Sequence, residues 1–200
     1  MGENKHVLRS AQTQARLLEV ARALFVARGY QQVSAEEIVQ QAGLTRGALY
    51  HHFDGKDGLF KALYDQLQCE VTTRINAAYD AAPDPLSAFR VSCHVWLEAC
   101  TDREVQQVVL IDAPNVLSWE AWRAADAEYS LGDIRECLHG LSEQGMIAHD
   151  GLDALTHLLV GGMNEMALYI ARAPDAHTAL ADAKRWLDVV LDGIMNKPRK

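Results

Sequence analysis

Residues 44–53 read LTRGALYHHF, and the position of Gly47 decides how this chain is read. A helix opening at Thr45, whose hydroxyl can cap it, would carry Gly47 in its first turn at a cost of about 1 kcal/mol relative to alanine. Such a cost asks for a surface that must come close to the backbone. On a helix advancing about 100° per residue, Leu49 and Phe53 share one face and can enter a core, whereas Gly47, Ala48 and His51 lie opposite. Gly47 and Ala48 leave that outer face nearly flat, and Thr45, Arg46, Tyr50 and His51 ring it with hydrogen-bonding groups. The shape suits the major groove of duplex DNA, where an alanine methyl or an arginine fork complements base edges while Tyr, Thr and Lys more often hold phosphates. A Gly-Ala pair also lets two protein helices pack closely, so the residues by themselves leave both readings open.

The flanking sequence supplies the rest of a small helical unit. VSAEEIVQQAG, residues 33–43, offers Ser34 as N-cap with Glu37 three residues on, and Val33 and Ile38 can staple across the cap. Gly43 closes this helix, and the next begins at Thr45, so the pair is a helix-turn-helix. Before it, AQTQARLLEVARALFVARGY, residues 11–30, places Leu17, Leu18, Ala21, Leu24 and Phe25 on one stripe and stops at Gly29. After it, residues 55–81 continue as one long helix halted by Pro83 and Pro85, and Lys56 in its first turn can face a phosphate. Further helices are predicted over residues 86–100, 104–111, 119–144, 152–172 and 176–195, with Pro114, Gly145 and Pro174 as punctuation. Without alternating β pattern or internal repeat, the fold class is all-α.

Hydrophobic residues make up 49% of the 200, enough for a buried core. The net charge of -8 hides an asymmetry: residues 1–64 sum to +2 and residues 65–200 to -10. A small basic head on an acidic body fits a phosphate-facing module attached to something else. No apolar run is long enough for a membrane span, and the opening MGENKHVLRS does not resemble a signal peptide, so a cytoplasmic location is expected. The four cysteines include no Cys-x-x-Cys pair and read as buried reduced thiols. His94 and His157 have no partner at ligand spacing, so neither metal nor cofactor is expected.

The capping box, AGLTRGALYHHF and the following GKDGLF occur in an order and spacing that strongly resemble the DNA-binding domain of the TetR family of bacterial transcriptional regulators. The resemblance covers the first sixty or so residues and thins beyond residue 64. It implies a three-helix DNA-binding domain over residues 1–64 and a larger helical domain for ligand binding and dimerisation over residues 65–200. It also implies a homodimer on a palindromic double-stranded DNA operator, most simply a repressor released by a small-molecule inducer. Carried over by position, Ser34, Thr45, Arg46, Gly47, Ala48, Tyr50 and His51 face DNA, and Lys56 matches a phosphate-binding lysine. Asp54-Gly55 departs from the family, which often has proline or a small polar residue before that lysine.

In the acidic body the ligand candidates are aromatic and polar residues on apolar helices: Trp96, Asp112, Asn115, Trp119, Trp122, Tyr129, Met163, Asn164, Met166 and Tyr169. An acidic lining would favour cationic or aromatic ligands. Leu180, Ala183, Leu187, Val190, Leu191 and Ile194 form a stripe suited to a dimer interface or to an intrachain core, and Gly161 and Gly162 allow close helix approach. Two other functions compete. A helical enzyme would need residues that converge only in the fold, since no Gly-x-Ser-x-Gly, phosphate loop, Glu-x-x-His or His-Glu-x-x-His motif is present. A helical small-molecule-binding protein without DNA function would have no use for the intact Thr-Arg-Gly-Ala-Leu-Tyr-His run.

Overall fold

The computed structural model describes residues 2–117 and 131–195, with side chains from Val7 onward. Every regular element among them is helical: α1 Gly2–Arg28, a single 3-10 turn Tyr30–Gln32, α2 Ala35–Ala42, α3 Arg46–Phe53, α4 Gly55–Asp80 and α5 Pro85–Ala99. There follow a π-helical segment Val105–Asp112, α6 Ala113–Val116, α7 Gly132–Glu143, α8 Leu152–Arg172 and α9 Ala176–Met195.

The helix ends follow from local chemistry. Ser34 Oγ accepts from the Glu37 N–H at 3.1 Å, and Thr45 Oγ1 accepts from the Ala48 N–H at 3.2 Å. Gly43 closes α2 in the left-handed region at φ 68°, where only glycine pays no Cβ penalty. Asp84 caps α5 by accepting from the N–H groups of Leu86 and Ser87, with Pro85 in the first turn, where its missing donor costs nothing. α1 begins well before the apolar stripe, because no proline or glycine interrupts residues 3–28. Its early turns leave Val7 and Leu8 exposed. Pro114 does not end its helix as expected. It sits in the first turn of α6, which continues directly from the π-helical segment.

Two cores hold the chain together. The first gathers Leu17, Ala21 and Phe25 from α1, Ile38 from α2, Leu49 from α3 and Leu59, Phe60 and Leu63 from α4. Phe25, Tyr30 and Phe60 meet as a trio with ring centroids 5.1 to 5.7 Å apart. Each fully buried phenylalanine contributes about 1.5–3 kcal/mol. This core runs on through Leu67 and Val71 of α4 to Val105, Val108 and Val109 of the π-helical segment. The second core packs α5 against α7, α8 and α9 through Phe89, Leu97, Leu138, Leu159, Ile170, Leu187 and Leu191.

The α9 stripe divides differently from a dimer seam. Ala183, Leu187 and Leu191 are buried inside their own chain, and Leu180 and Ile194 pack beside them, because this face closes on the second core. The apolar residues left exposed are Trp186, Val189 and Val190 on α9 and Leu158 and Tyr169 on α8. Gly161 and Gly162 are also exposed, and a Cβ added at either would meet nothing within 4 Å. Of the cysteines, Cys93 and Cys100 are buried, and burial pushes both thiols up to about 12. Cys69, expected to be buried, is exposed.

Candidate nucleic-acid interface and cavity

α3 buries Leu49 completely and turns Arg46, Gly47, Tyr50 and His51 outward. A Cβ added at Gly47 would meet only Thr45 Oγ1, at 3.8 Å. No described helix packs there, so packing among the described residues does not account for the glycine. Arg46 lies exposed and is held by two neighbours: it donates to Glu36 of α2 at 2.7 Å and stacks over the Tyr50 ring at 5.5 Å. Hydrogen bonding to Tyr50, then the Glu36 charge, raises its pKa further above the ordinary arginine value. Glu36 was not singled out in the sequence, because a carboxylate in the first turn of α2 reads as a dipole partner.

Lys56 is partly committed within the fold. Its Nζ donates to the carbonyls of Tyr30 at 3.1 Å and Val33 at 2.9 Å and lies 3.7 Å from the Tyr30 ring centroid. Desolvation lowers its pKa from the usual lysine value. Two of the three ammonium donors are thus spent on carbonyls, and the Tyr30 ring lies against the same nitrogen. Asp112, proposed as a pocket residue, instead accepts from the buried Tyr30 N–H at 2.8 Å. It ties the π-helical segment to the turn after α1. Beside it, Arg22 donates to Glu70 at 2.8 and 2.9 Å and also pairs with Glu104, while Arg74 pairs with Asp102 at 2.6 Å.

Between α4, α5, α7 and α8 lies a partly open cavity of about 90 Å³. Its walls are Gln68, Val71, Thr72 and Ile75, then Ser92, Cys93 and Trp96, then Asp133 and Ile134, and finally Val160, Met163 and Asn164. Trp96, Met163 and Asn164 among the sequence candidates line it. Asn115 is exposed with its amide on the Ile111 carbonyl, Met166 packs on the second core, and Tyr169 stands on the outer face of α8. Trp119, Trp122 and Tyr129 lie outside the described residues. The α4 wall went unread in the sequence, although Gln68 and Thr72 interrupt an apolar stripe at helical spacing, which is a usable signal. His94, weighed as a metal ligand, is hydrogen-bonded through Nε2 to Asp188 at 3.0 Å.

Comparison with known proteins agrees with this architecture. Residues 17–63 match the model of bacterial regulatory proteins of the tetR family, and residues 86–194 match the tetracyclin repressor-like C-terminal domain. The chain is 36% identical over 213 residues to the HTH-type transcriptional regulator TtgR of Pseudomonas putida, covering 94% of this chain and 93% of that protein. It is 27% identical over 179 residues to the transposon Tn10 TetC protein of Escherichia coli, covering 90% and 88%. A solved TetR-family transcriptional regulator from Pectobacterium atrosepticum superposes with a TM-score of 0.80 at 36% identity, over 96% of this chain and 98% of that one. With both halves of its architecture matched, the chain belongs to the TetR family and is a TetR-like transcriptional regulator.

Proposed function

We propose that this regulator is a homodimeric, cytoplasmic repressor that holds a pseudo-palindromic DNA operator and releases it when a small molecule enters the cavity. The observation that carries the reading is the continuity of α4: Leu59, Phe60 and Leu63 belong to the core under α3, and Gln68, Val71, Thr72 and Ile75 of the same helix wall the cavity. Occupancy that moves this wall moves the floor of the DNA-facing unit. A tenfold loss of DNA affinity needs only about 1.4 kcal/mol of difference in ligand affinity between the two states.

In this reading residues 1–64 are the DNA-binding head and residues 65–200 the ligand-binding and dimerisation body. Arg46 and Ala48 read base edges, Gly47 admits the groove wall, and Ser34, Thr45, Tyr50, His51 and Lys56 hold the backbone. One short helix reads few bases, and two-fold symmetry doubles the reading. Trp186, Val189 and Val190 with Leu158 and Tyr169 supply the exposed apolar faces for the second subunit. The test is to select duplexes from a random pool with the purified protein. The best duplex is then titrated with a hydrophobic compound library while tryptophan emission and DNA release are followed together. A library yielding only saturable binders that leave DNA affinity unchanged would overturn the release mechanism.

A further inference from the structure

The inner cavity is not sealed from every side. A wider cleft of about 510 Å³ shares Ile75, Ser92, Asp133 and Ile134 with it, so the two form one passage from the surface between α4, α5 and α7. Among the described residues lining this passage, the charged side chains are Asp133 and Glu136, both carboxylates. Nearby arginines are committed elsewhere: Arg135 pairs with Asp153 at 3.0 Å, and Arg90 with Asp188 at 2.7 Å and Asp192 at 2.5 Å. The field in the cleft is felt by its neighbours. Burial and then the charges of Asp133 and Glu136 raise the Cys137 thiol pKa, and the Tyr79 phenol is raised by Cys137 first, then by burial, with Asp80 and Glu136 contributing least.

A second observation is independent of those charges. Ser92 Oγ, on the wall common to both chambers, is buried and has no hydrogen-bond partner among the described residues. The passage therefore presents two carboxylates and the Ser92 hydroxyl oxygen, all able to accept, ahead of an inner chamber where Val71, Trp96 and Met163 stand beside Gln68, Thr72 and Asn164. An ammonium is a donor-only group, with three N–H bonds to give. A carboxylate ligand would meet two like charges and lose its hydration with no cation among the described lining residues to replace it.

We infer that the passage takes a small amphiphilic cation, its ammonium between Asp133, Glu136 and Ser92 and its short apolar body against Trp96. The inference deepens the reading of the cavity as the inducer site and rests on it. The inner chamber is smaller than the roughly 150 Å³ apolar cavity that accepts benzene, so a slim alkyl body fits better than a bulky ring.

The test uses the full-length protein and three probes of equal length, hexylammonium, hexan-1-ol and hexanoate, measured by isothermal titration calorimetry. Hexylammonium should bind about tenfold more tightly than hexanoate, with hexanol between them. Asp133→Asn combined with Glu136→Gln, both exposed positions that the core does not need, should abolish the preference and leave hexanol unchanged. Ser92→Ala should weaken hexylammonium more than hexanol. Equal or tighter binding of hexanoate, a preference that survives the double substitution, or no hexylammonium binding at millimolar concentration would overturn the inference. Release of a selected duplex is followed in parallel by fluorescence anisotropy. Cation-selective binding without release would support the ligand class and overturn the inducer reading, so the two failures are distinguishable.

Discussion

Gly47 and Gly58 both stand in the first turn of a helix, and only Gly58 is required by the fold. A Cβ at Gly58 would lie 1.5 Å from the carbonyl oxygen of Phe53, so α4 can start against the end of α3 only without a side chain there. Gly58→Ala is expected to cost at least about 2 kcal/mol, visible as a lowered denaturation midpoint. At Gly47 the space is open, so Gly47→Ala should stabilise the free protein by up to about 1 kcal/mol and yet weaken DNA binding. Thermal denaturation beside a DNA titration checks both signs, and unchanged DNA affinity would remove the groove argument for this glycine. Lys56→Ala should lose about 1–2 kcal/mol of stability with its two carbonyl contacts. If Lys56 also holds a phosphate, the salt slope of DNA binding falls by about one as well. The sequence exposed Gly47 because its neighbours are a flat polar face, whereas nothing in the spacing around Gly58 betrays a carbonyl brought in from α3.

Among the elements, the π-helical segment is joined to the turn after α1 by Asp112, whose carboxylate accepts from the buried Tyr30 N–H. Asp112→Ala leaves that donor unsatisfied and should cost about 1–3 kcal/mol. Asp112→Asn keeps an acceptor and should cost less, which unfolding titrations of the two variants would show. The α1–α4 contact has a pH signature. Hydrogen bonding from Arg22 holds Glu70 below its ordinary value of 4.5. A depressed folded pKa means the stabilisation is complete above pH 4.5 and lost as pH falls through the lower folded value. Because the pair is partly exposed, Glu70→Gln should cost less than about 1 kcal/mol at neutral pH, and the difference from the unmodified protein should close in acid. Caps made these elements legible: Ser34, Gly43 and Thr45 act locally, so sequence spacing finds them. The cavity was less legible because Gln68, Ser92, Asp133 and Asn164 come from four helices far apart in the chain. The stripe of Leu187 and Leu191 showed that α9 has an apolar face, but periodicity carries no information on whether the same chain or another covers it.

For the whole molecule, the exposed faces of α8 and α9 carry the dimer proposal. Trp186 is 57% exposed on α9, and Trp186→Glu would place a charge in the centre of that face. Sedimentation should then show a monomer where the unmodified protein is a dimer, with DNA affinity falling in step because half of the operator contacts are lost. A variant that stays dimeric would move the interface elsewhere. Within each subunit, α1 is fastened to α4 and to the start of the π-helical segment partly by charges, Arg22 pairing with Glu70 and with Glu104. Screening shortens from about 30 Å at 0.01 M salt to about 3 Å at 1 M, and partly exposed pairs weaken along with it. Rising salt therefore acts on this regulator twice, displacing it from phosphates and loosening the seat from which the head reads DNA. A count of phosphate contacts taken from the salt slope of binding will overstate their number unless the share due to the Arg22 pairs is measured first, with Arg22 replaced.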